Sequence, residues 1–372
     1  MTQESPPLQN AFALGARGCP TETVRAVPNL SGPLTIGPLT LANRSFLAPL
    51  SGITDVPFRR LARRFGAGLV VSEMVASGEF ARGVEESRIR AMRDGPGIHA
   101  VQLAGRDPHW MGEATRRLVG EGVDLVDINM GCPAKKVVGG LSGSALMREP
   151  DLALSLVEAT VAAAGSVPVT LKTRLGWDRD SLNAADIARR AQEAGVAMVT
   201  IHGRTRCDFY EGRADWPAIS AVRAAISVPL VANGDLAHPA DVAPMLAASG
   251  ADAAMSGRGC QGRPWLPGLL AGAVTRATLE AISYADLVAE HYAAMLAHYG
   301  SGFGLRHARK HLGWYLDRFA EAGCAVSPAE RGEILRGEAP DRIVEKLRAL
   351  FAGASLADIE PSYHARLTRK AA

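Results

Sequence analysis

In VDINMGCPAKK, residues 126–136, an apolar run stops on Cys132, held between Gly131 and Pro133. Those two neighbours restrict where the thiol can point. A cysteine of ordinary pKa, about 8.5, stays mostly protonated at neutral pH and can donate a proton to a reacting carbon. The plain alternative is a small buried thiol, the commonest state of a cysteine. Lys172, late in the run VTLK, raises a second question, because an ammonium there is desolvated unless an anion meets it. It either pairs with Asp127 or Glu73, or balances negative charge on a redox ring; a flavin reduced by two electrons carries such charge near N1 and O2. Gln102 offers an amide donor and acceptor to the polar edge of a ring. His202 could bond a ring or a phosphate, although a lone histidine is more often structural. In ANGD and SGRG, the backbone of Asn233, Gly234, Asp235, Gly257 and Arg258 can face an anion, and Arg258 adds charge. Each short glycine motif alone is an ordinary turn.

Each of these residues ends an apolar run. The runs are FLAPL from Phe46, GLVVSEM from Gly68, IHAVQLAG from Ile98, LVDINMG from Leu125, PVTLKTRL from Pro168, AMVTIHGR from Ala197, PLVANGD from Pro229 and AAMSGRG from Ala253. Ser51 and Asp55 follow the first, Glu73 the second, Gln102 the third, and Asn129 with Cys132 the fourth. Lys172 and Arg174 close the fifth, His202 and Arg204 the sixth, Asn233 and Asp235 the seventh, Arg258 the eighth. Segments with apolar residues at spacings of three and four separate them, as in PDLALSLVEATVAAAG. Eight strand–helix units predict an α/β fold, a closed (β/α)8 TIM barrel whose chemistry gathers at the C-terminal strand ends. An open doubly wound sheet would need a G-x-G-x-x-G after an early strand, and none is present.

The predicted organisation is a loose arm over 1–30, the barrel over 31–276 with a hairpin in PLTIGPLTLANR, a smaller all-helical region over 277–352, and a basic tail over 353–372. A net charge of +3 is too small to announce a nucleic-acid partner, so polyanion binding must be argued from local clusters. Five cysteines without a C-x-x-C pair argue against a disulfide framework and for a reducing, cytoplasmic compartment. No apolar stretch reaches the ~20 residues that span a bilayer, and no metal is expected. A monomer is expected.

APLSGITDVPFRRL, VQLAG, DINMGCPAKKV, GSALM, LKTRLGWD, IHGRT, VANGD, SGRG and ARKHLGWY together resemble the signature segments of bacterial tRNA-dihydrouridine synthases. The likeness is greatest to the B-type branch with its nitrogen-regulation-protein-like members, and runs in order from about Leu34 to Leu350. It implies an FMN-dependent enzyme that reduces a uracil of tRNA at the expense of NADPH. Flavin contacts implied by position are Pro49, Leu50, Ser51, Gln102, Lys172, His202, Asn233, Gly234, Asp235, Gly257 and Arg258. Cys132 matches the family's catalytic cysteine. Leu50 and Ser51 stand where the family usually has Met and Ala, a change that backbone contacts tolerate. Asn129, Lys135, Lys136, Arg174, Arg309 and Lys310 are expected to meet substrate or tRNA; in RHARKHLGWY, charge sits beside Trp314 and Tyr315, a pair equally suited to a helical core. Arg59, Arg60, Arg63 and Arg64 are further basic candidates, with a solvated face the favoured reading for Arg60 and Arg63. The competing readings are an FMN barrel acting on a free pyrimidine, and a flavin-bearing RNA-binding regulator. Which uridine is modified, and NADPH against NADH, are not readable from these residues.

Overall fold

The computed structural model describes residues 29–360. Of the expected arm over 1–30 and tail over 353–372, residues 1–28 and 361–372 lie outside the described residues, and the described part of the tail holds a short helix, Leu356–Ile359. Strands β1 (Leu34–Ile36) and β2 (Leu39–Leu41) form the antiparallel hairpin, turning on Gly37 with φ 54°. Such a left-handed first turn residue is what a tight hairpin requires and what glycine supplies. Eight parallel strands then close a barrel: β3 (Ser45–Leu47), β4 (Leu69–Ala76), β5 (Ala100–Ala104), β6 (Leu125–Met130), β7 (Val169–Arg174), β8 (Met198–His202), β9 (Leu230–Asn233) and β10 (Ala253–Ser256), with β10 pairing β3. The eight apolar runs each became one of these strands.

The barrel has two apolar layers for a simple reason: alternate residues of each strand point to opposite faces. Outward positions such as Leu47, Val101, Val126, Ile128, Leu171 and Val199 pack against the surrounding helices. Inward positions low in the barrel, among them Phe46, Val71, Ala100, Leu125, Met198 and Val231, form a second cluster that Leu34, Ile36 and Leu41 of the hairpin join. Higher on the same inward faces the residues turn polar, giving Gln102, Asp127, Asn129, Thr170 and His202, all buried. The polar mouth is therefore supported on a dry plug.

One irregularity matters to the mouth. Between Val71 and Met74 strand β4 carries one residue more than its partner β5, a bulge. It leaves Glu73 buried, accepting from the Gly52 backbone N–H, while Met74 faces the mouth.

After the barrel come helices Tyr284–Tyr299, Ser301–Glu321, Pro328–Arg336 and Pro340–Leu350, with short helical turns at either end. Ser283 and Ser327 cap the first and third of these, the latter in a capping box with Glu330. Their core, built on Tyr284, Tyr315, Phe319, Leu347 and Phe351, also takes in Leu61 and Phe65 from the first barrel helix, Val56–Arg64, and its C-cap. Tyr315 is thus core, and Trp314 lies at its edge. Arg60 is exposed, as a solvated face requires, whereas Arg59 is buried and Arg63 half-buried. They grip the 92–98 loop: Arg59 and Arg63 pair with the buried carboxylate of Asp94, and Arg60 donates to the Asp94 carbonyl. Arg64 reaches Glu290 of the helical region.

Histidines cluster at the seam. His291 packs against Phe58 and His311 and shares a 2.9 Å hydrogen bond between its Nδ1 and the Tyr315 hydroxyl. Burial pushes His291 down to about 3 and His311 well below the ordinary range. His99, His202, His298 and His307 are lowered too, each chiefly by burial. A group whose folded pKa is depressed takes up its proton more readily when unfolded. For these histidines stability is present above about 6.5 and is lost as pH falls, by up to about 1.4 kcal/mol per pH unit for each fully buried ring. Asp55 and Asp127, both raised to about 6 by burial, work in the opposite sense between their unfolded value near 3.8 and about 6. Six rings outweigh two acids, so the melting temperature is expected to drop between pH 7 and pH 5. His291→Phe should flatten that drop in a pH series of thermal melts; an unchanged slope would count against this account.

Candidate active site

A cavity of about 650 Å³ opens at the C-terminal strand ends. Every residue expected at a flavin lines it: Pro49, Leu50, Ser51, Gln102, Lys172, His202, Asn233, Gly234, Asp235, Gly257 and Arg258, joined by Asn129, Cys132 and Arg174. Lys135, Lys136, Arg309 and Lys310 do not line it.

Cys132 follows β6 and is held by its backbone. Its N–H donates to Asn129 Oδ1 at 3.0 Å, and its carbonyl accepts from Ser144 N at 3.1 Å and Ser144 Oγ at 2.9 Å. Gly143, at φ 60°, packs so close that an added Cβ would lie 2.8 Å from the Cys132 carbonyl oxygen. The GSALM segment is therefore the brace of the cysteine loop. Burial raises the Cys132 thiol above its ordinary value, against the pull of the Ala134 N–H and of the Arg174 and Lys172 charges. The thiol is protonated at neutral pH.

Lys172 projects from β7 into the same space. Its Nζ donates to Asn233 Oδ1 at 3.2 Å. The ion pair that was the alternative reading does not form: Asp127 accepts from Gln102 and Thr170, and Glu73 from Gly52. Burial first, then Arg174, lowers the ammonium to about 8, with Asp127 opposing. It remains mostly charged at pH 7.

Arg174 gives its Nε and Nη1 donors to backbone carbonyls. Its Nε reaches the Gly131 carbonyl at 2.7 Å, and its Nη1 the carbonyls of Thr205 and Phe209 at 2.7 and 2.8 Å. The guanidinium thus ties the cysteine loop to the loop after β8. Arg204, fully buried, makes a bidentate pair with Asp235 at 2.9 and 2.7 Å and lies 3.3 Å from His202 Nε2. With burial and the charges of Lys172, Arg174, Arg204 and Arg258 around it, His202 is held neutral. Because the Asp235 carboxylate is committed to Arg204 and the Ala214 N–H, this segment can meet an anion only through backbone. Its conformation fits that role, with φ 121° at Gly234 and 57° at Asp235. Arg258 leans on the Tyr210 ring at 5.0 Å and lies 3.6 Å from Asp235, its side chain 46% exposed and free to reach the opening.

Tyr210 and Arg318 line the cavity without having been anticipated. Tyr210 sits in a loop with no period to mark it, and its ring is flanked by Arg174 and Arg258. Arg318 comes from the helical region and is fixed there by the Gln261 carbonyl, a bond across 57 residues. Outside the cavity, Lys135 and Lys136 stand exposed on the short helix Lys135–Gly139 beside Cys132. Arg309 is exposed, whereas the Lys310 ammonium lies over Gly52, near Glu73 and Asp55. Among the described residues no cluster of three or more metal-ligating side chains occurs, and no helix is long and apolar enough to cross a membrane.

Comparisons with known proteins point to one family. A family model described as dihydrouridine synthase matches residues 46–332. A probable tRNA-dihydrouridine synthase of Rhizobium leguminosarum bv. phaseoli is 57% identical over 317 residues, 85% of this chain and 98% of that protein. The tRNA-dihydrouridine synthase B of Xanthomonas campestris pv. campestris is 44% identical over 337 residues, 89% of this chain and 99% of that protein. Among solved structures, a histamine dehydrogenase from Rhizobium sp. 4-9 superposes with a TM-score of 0.51 at 16% identity, covering 71% of this chain and 50% of that one. A morphinone reductase variant in complex with tetrahydroNAD gives 0.50 at 16%, covering 67% and 92%. These two speak to the barrel alone. With the family model spanning the barrel and reaching into the helical region, and relatives matched nearly end to end, the chain belongs to the dihydrouridine synthase family of tRNA-modifying oxidoreductases.

Proposed function

We propose that this protein is an FMN-dependent tRNA-dihydrouridine synthase that takes its reducing equivalents from NADPH, with Cys132 as the acid. The observation that carries the reading is a protonated thiol and a part-buried ammonium lining one cavity at the barrel mouth. The residues fit a flavin mononucleotide. Lys172 supplies a cation that no carboxylate among the described residues pairs with, Gln102 an amide at the ring edge, and Pro49, Leu50 and Ser51 a strand-end backbone. Asn233, Gly234, Asp235, Gly257 and Arg258 form the end suited to a phosphate.

When bound, reduced flavin supplies a hydride to C6 of uracil, whose C5=C6 bond is conjugated to the C4 carbonyl. The protein's part is to place the base and to deliver a proton to C5. Cys132 holds that proton on Sγ and gives it up as negative charge builds at C5. The cations of Arg174 and Lys172 favour the thiolate left behind. His202, kept neutral, does not compete as an acid at this pH.

A uracil stacked in folded RNA reaches this mouth only after being turned out of the stack. Phosphate contacts offset that cost, and Lys135, Lys136 and Arg309, exposed near the mouth or on the helical region, are assigned to them. Lys310 faces the rim at Gly52 and is assigned to the turned-out nucleotide's own backbone. Removing Lys135 and Lys136 together is expected to weaken tRNA binding and to reduce the slope of log affinity against log salt by about 1 for each phosphate left unneutralised. An unaltered slope would assign the phosphates elsewhere.

The test of the reading is nucleoside analysis of tRNA from a strain lacking the gene, mapped by position, with restoration by the purified protein, FMN and NADPH. One dihydrouridine position should disappear and return. Reduction of free uridine or a mononucleotide as fast as tRNA would overturn it.

A further inference from the structure

The amides of Gln102 and Asn129 have nearly symmetric shapes, and something must decide which way round each sits. The decision comes from Asp127, which lies below the cavity and does not line it. Gln102 Nε2 donates to Asp127 Oδ2 at 2.6 Å, and Thr170 Oγ1 donates to Asp127 Oδ1 at 2.6 Å. Asn129 Nδ2 donates to Gln102 Oε1 at 2.7 Å. Asn129 Oδ1 then accepts from the backbone N–H groups of Gly131, at 3.2 Å, and Cys132, at 3.0 Å. All four side chains are more than nine-tenths buried, so water cannot substitute for a missing partner. The strand register makes the chain possible, because Gln102 pairs with Asp127 and Asp127 with Thr170 across three adjacent strands.

A carboxylate only accepts hydrogen bonds. Facing Asp127, Gln102 must present its NH2 group and therefore turns its oxygen toward Asn129. Asn129 must present its own NH2 group to that oxygen, which leaves Oδ1 as the acceptor for the cysteine loop. We propose that Asp127 is a positioning residue that acts through Gln102 and Asn129 to set the place of Cys132. Inverting the polarity at Asp127 would aim the Asn129 NH2 group at two backbone N–H groups and push the loop away.

The kinetic part of the test rests on the function proposed above; the labelling part does not. In Gln102→Glu, two carboxylates face each other. Near pH 6 one shared proton restores the original donor and acceptor order, and loss of that proton as pH rises breaks it. Adding Asp127→Asn exchanges amide and carboxylate. The new amide on β6 then donates to the new carboxylate on β5, whose far oxygen again accepts from Asn129, whatever the pH. The probe is iodoacetamide labelling of Cys132 in the purified full-length protein, resolved by peptide mass spectrometry with exposed Cys207 as reference. Gln102→Glu is expected to label Cys132 about 10-fold faster than wild type at pH 8, in line with loss of buried hydrogen bonds, and to approach wild type at pH 6. The double variant should match wild type at both pH values. Dihydrouridine formation at pH 8 should fall about 100-fold in the single variant, mainly in kcat. Should Gln102→Glu fail to fold, Asp127→Leu, which removes the acceptor without adding charge, carries the same labelling and kcat expectation. A double variant that labels faster than wild type at pH 8, or an Asp127→Leu protein that labels like wild type there, overturns the proposal. If wild type itself makes no dihydrouridine, the functional reading fails while the labelling pattern still decides the role of Asp127.

Discussion

Cys132→Ala is expected to retain flavin and to oxidise NADPH at near the wild-type rate, while forming dihydrouridine on tRNA about 100- to 10,000-fold more slowly, the usual worth of a positioned general acid. The cavity should survive the change, because the loop is held by the Cys132 N–H and carbonyl and not by the sulfur. No other thiol among the described residues can stand in. Cys260 is buried against Ser256 with its thiol pushed up to about 11, and neither it, Cys207 nor Cys324 lines the cavity. The raised thiol also fixes the pH behaviour of the wild type. An acid with an elevated pKa stays loaded through neutrality, so the reductive step should hold steady across neutral pH and fall only at alkaline pH, beyond the ordinary range of a thiol. The measurement is single-turnover reduction of tRNA by pre-reduced enzyme, with dihydrouridine counted by mass spectrometry. A mutant that completes this turnover at the wild-type rate removes Cys132 from the chemistry.

The cysteine was legible because it sits where an apolar run ends, and so were the other strand ends. A parallel strand buried on both faces has to be apolar along its length, and the first polar residue therefore marks where it leaves the barrel. That rule located Gln102, Asn129, Lys172, His202, Asn233 and Arg258, all of them on the cavity wall. It could not say what each polar group touches. Arg174, expected at the substrate, lines the cavity while also bound to three carbonyls, and Arg204, marked only as a strand end, is bound to Asp235; those partners include the loop after β8 and the end of β9. Lys172 was left between an ion pair and a ligand because Asp127 is near in the barrel but already occupied by Gln102 and Thr170. The bulge in β4, which turns Glu73 away from the cavity, depends on pairing with β5 and leaves no mark in the apolar pattern. Arginines of the helix Val56–Arg64 pattern as a polar face, and only the fold reveals that the 92–98 loop lies across it.

Lys172→Met keeps most of the side chain's length and removes its charge, and two opposite effects are expected. In the flavin-free protein the ammonium is a burden: it is desolvated, flanked by Arg174, and among the described residues hydrogen-bonded only to the oxygen of Asn233, whose amide is oriented by donation of Nδ2 to the Met255 carbonyl. A lysine whose folded pKa is about 8, against about 10.4 unfolded, destabilises the fold at neutral pH, here by about 1–3 kcal/mol. The flavin-free mutant should therefore melt higher than flavin-free wild type at pH 7. That gap should close as pH rises from about 8 toward 10.4, because the folded wild type sheds its proton first. With flavin bound the sign reverses. A charge-assisted hydrogen bond is worth about 1.5–3 kcal/mol, and the reduced ring, being the more anionic, loses more of it than the oxidised ring. For a two-electron couple that difference lowers the potential of the bound flavin by about 30–60 mV. Flavin content after gel filtration should fall, and dihydrouridine formation with it. The potential is measured by equilibration with a reference dye, beside melts of the flavin-free proteins. A mutant whose potential is unmoved and whose flavin-free form melts lower than wild type would show that Lys172 serves the fold, because a structural cation gains stability from its surroundings, whereas a cation kept for an absent anion can only lose it.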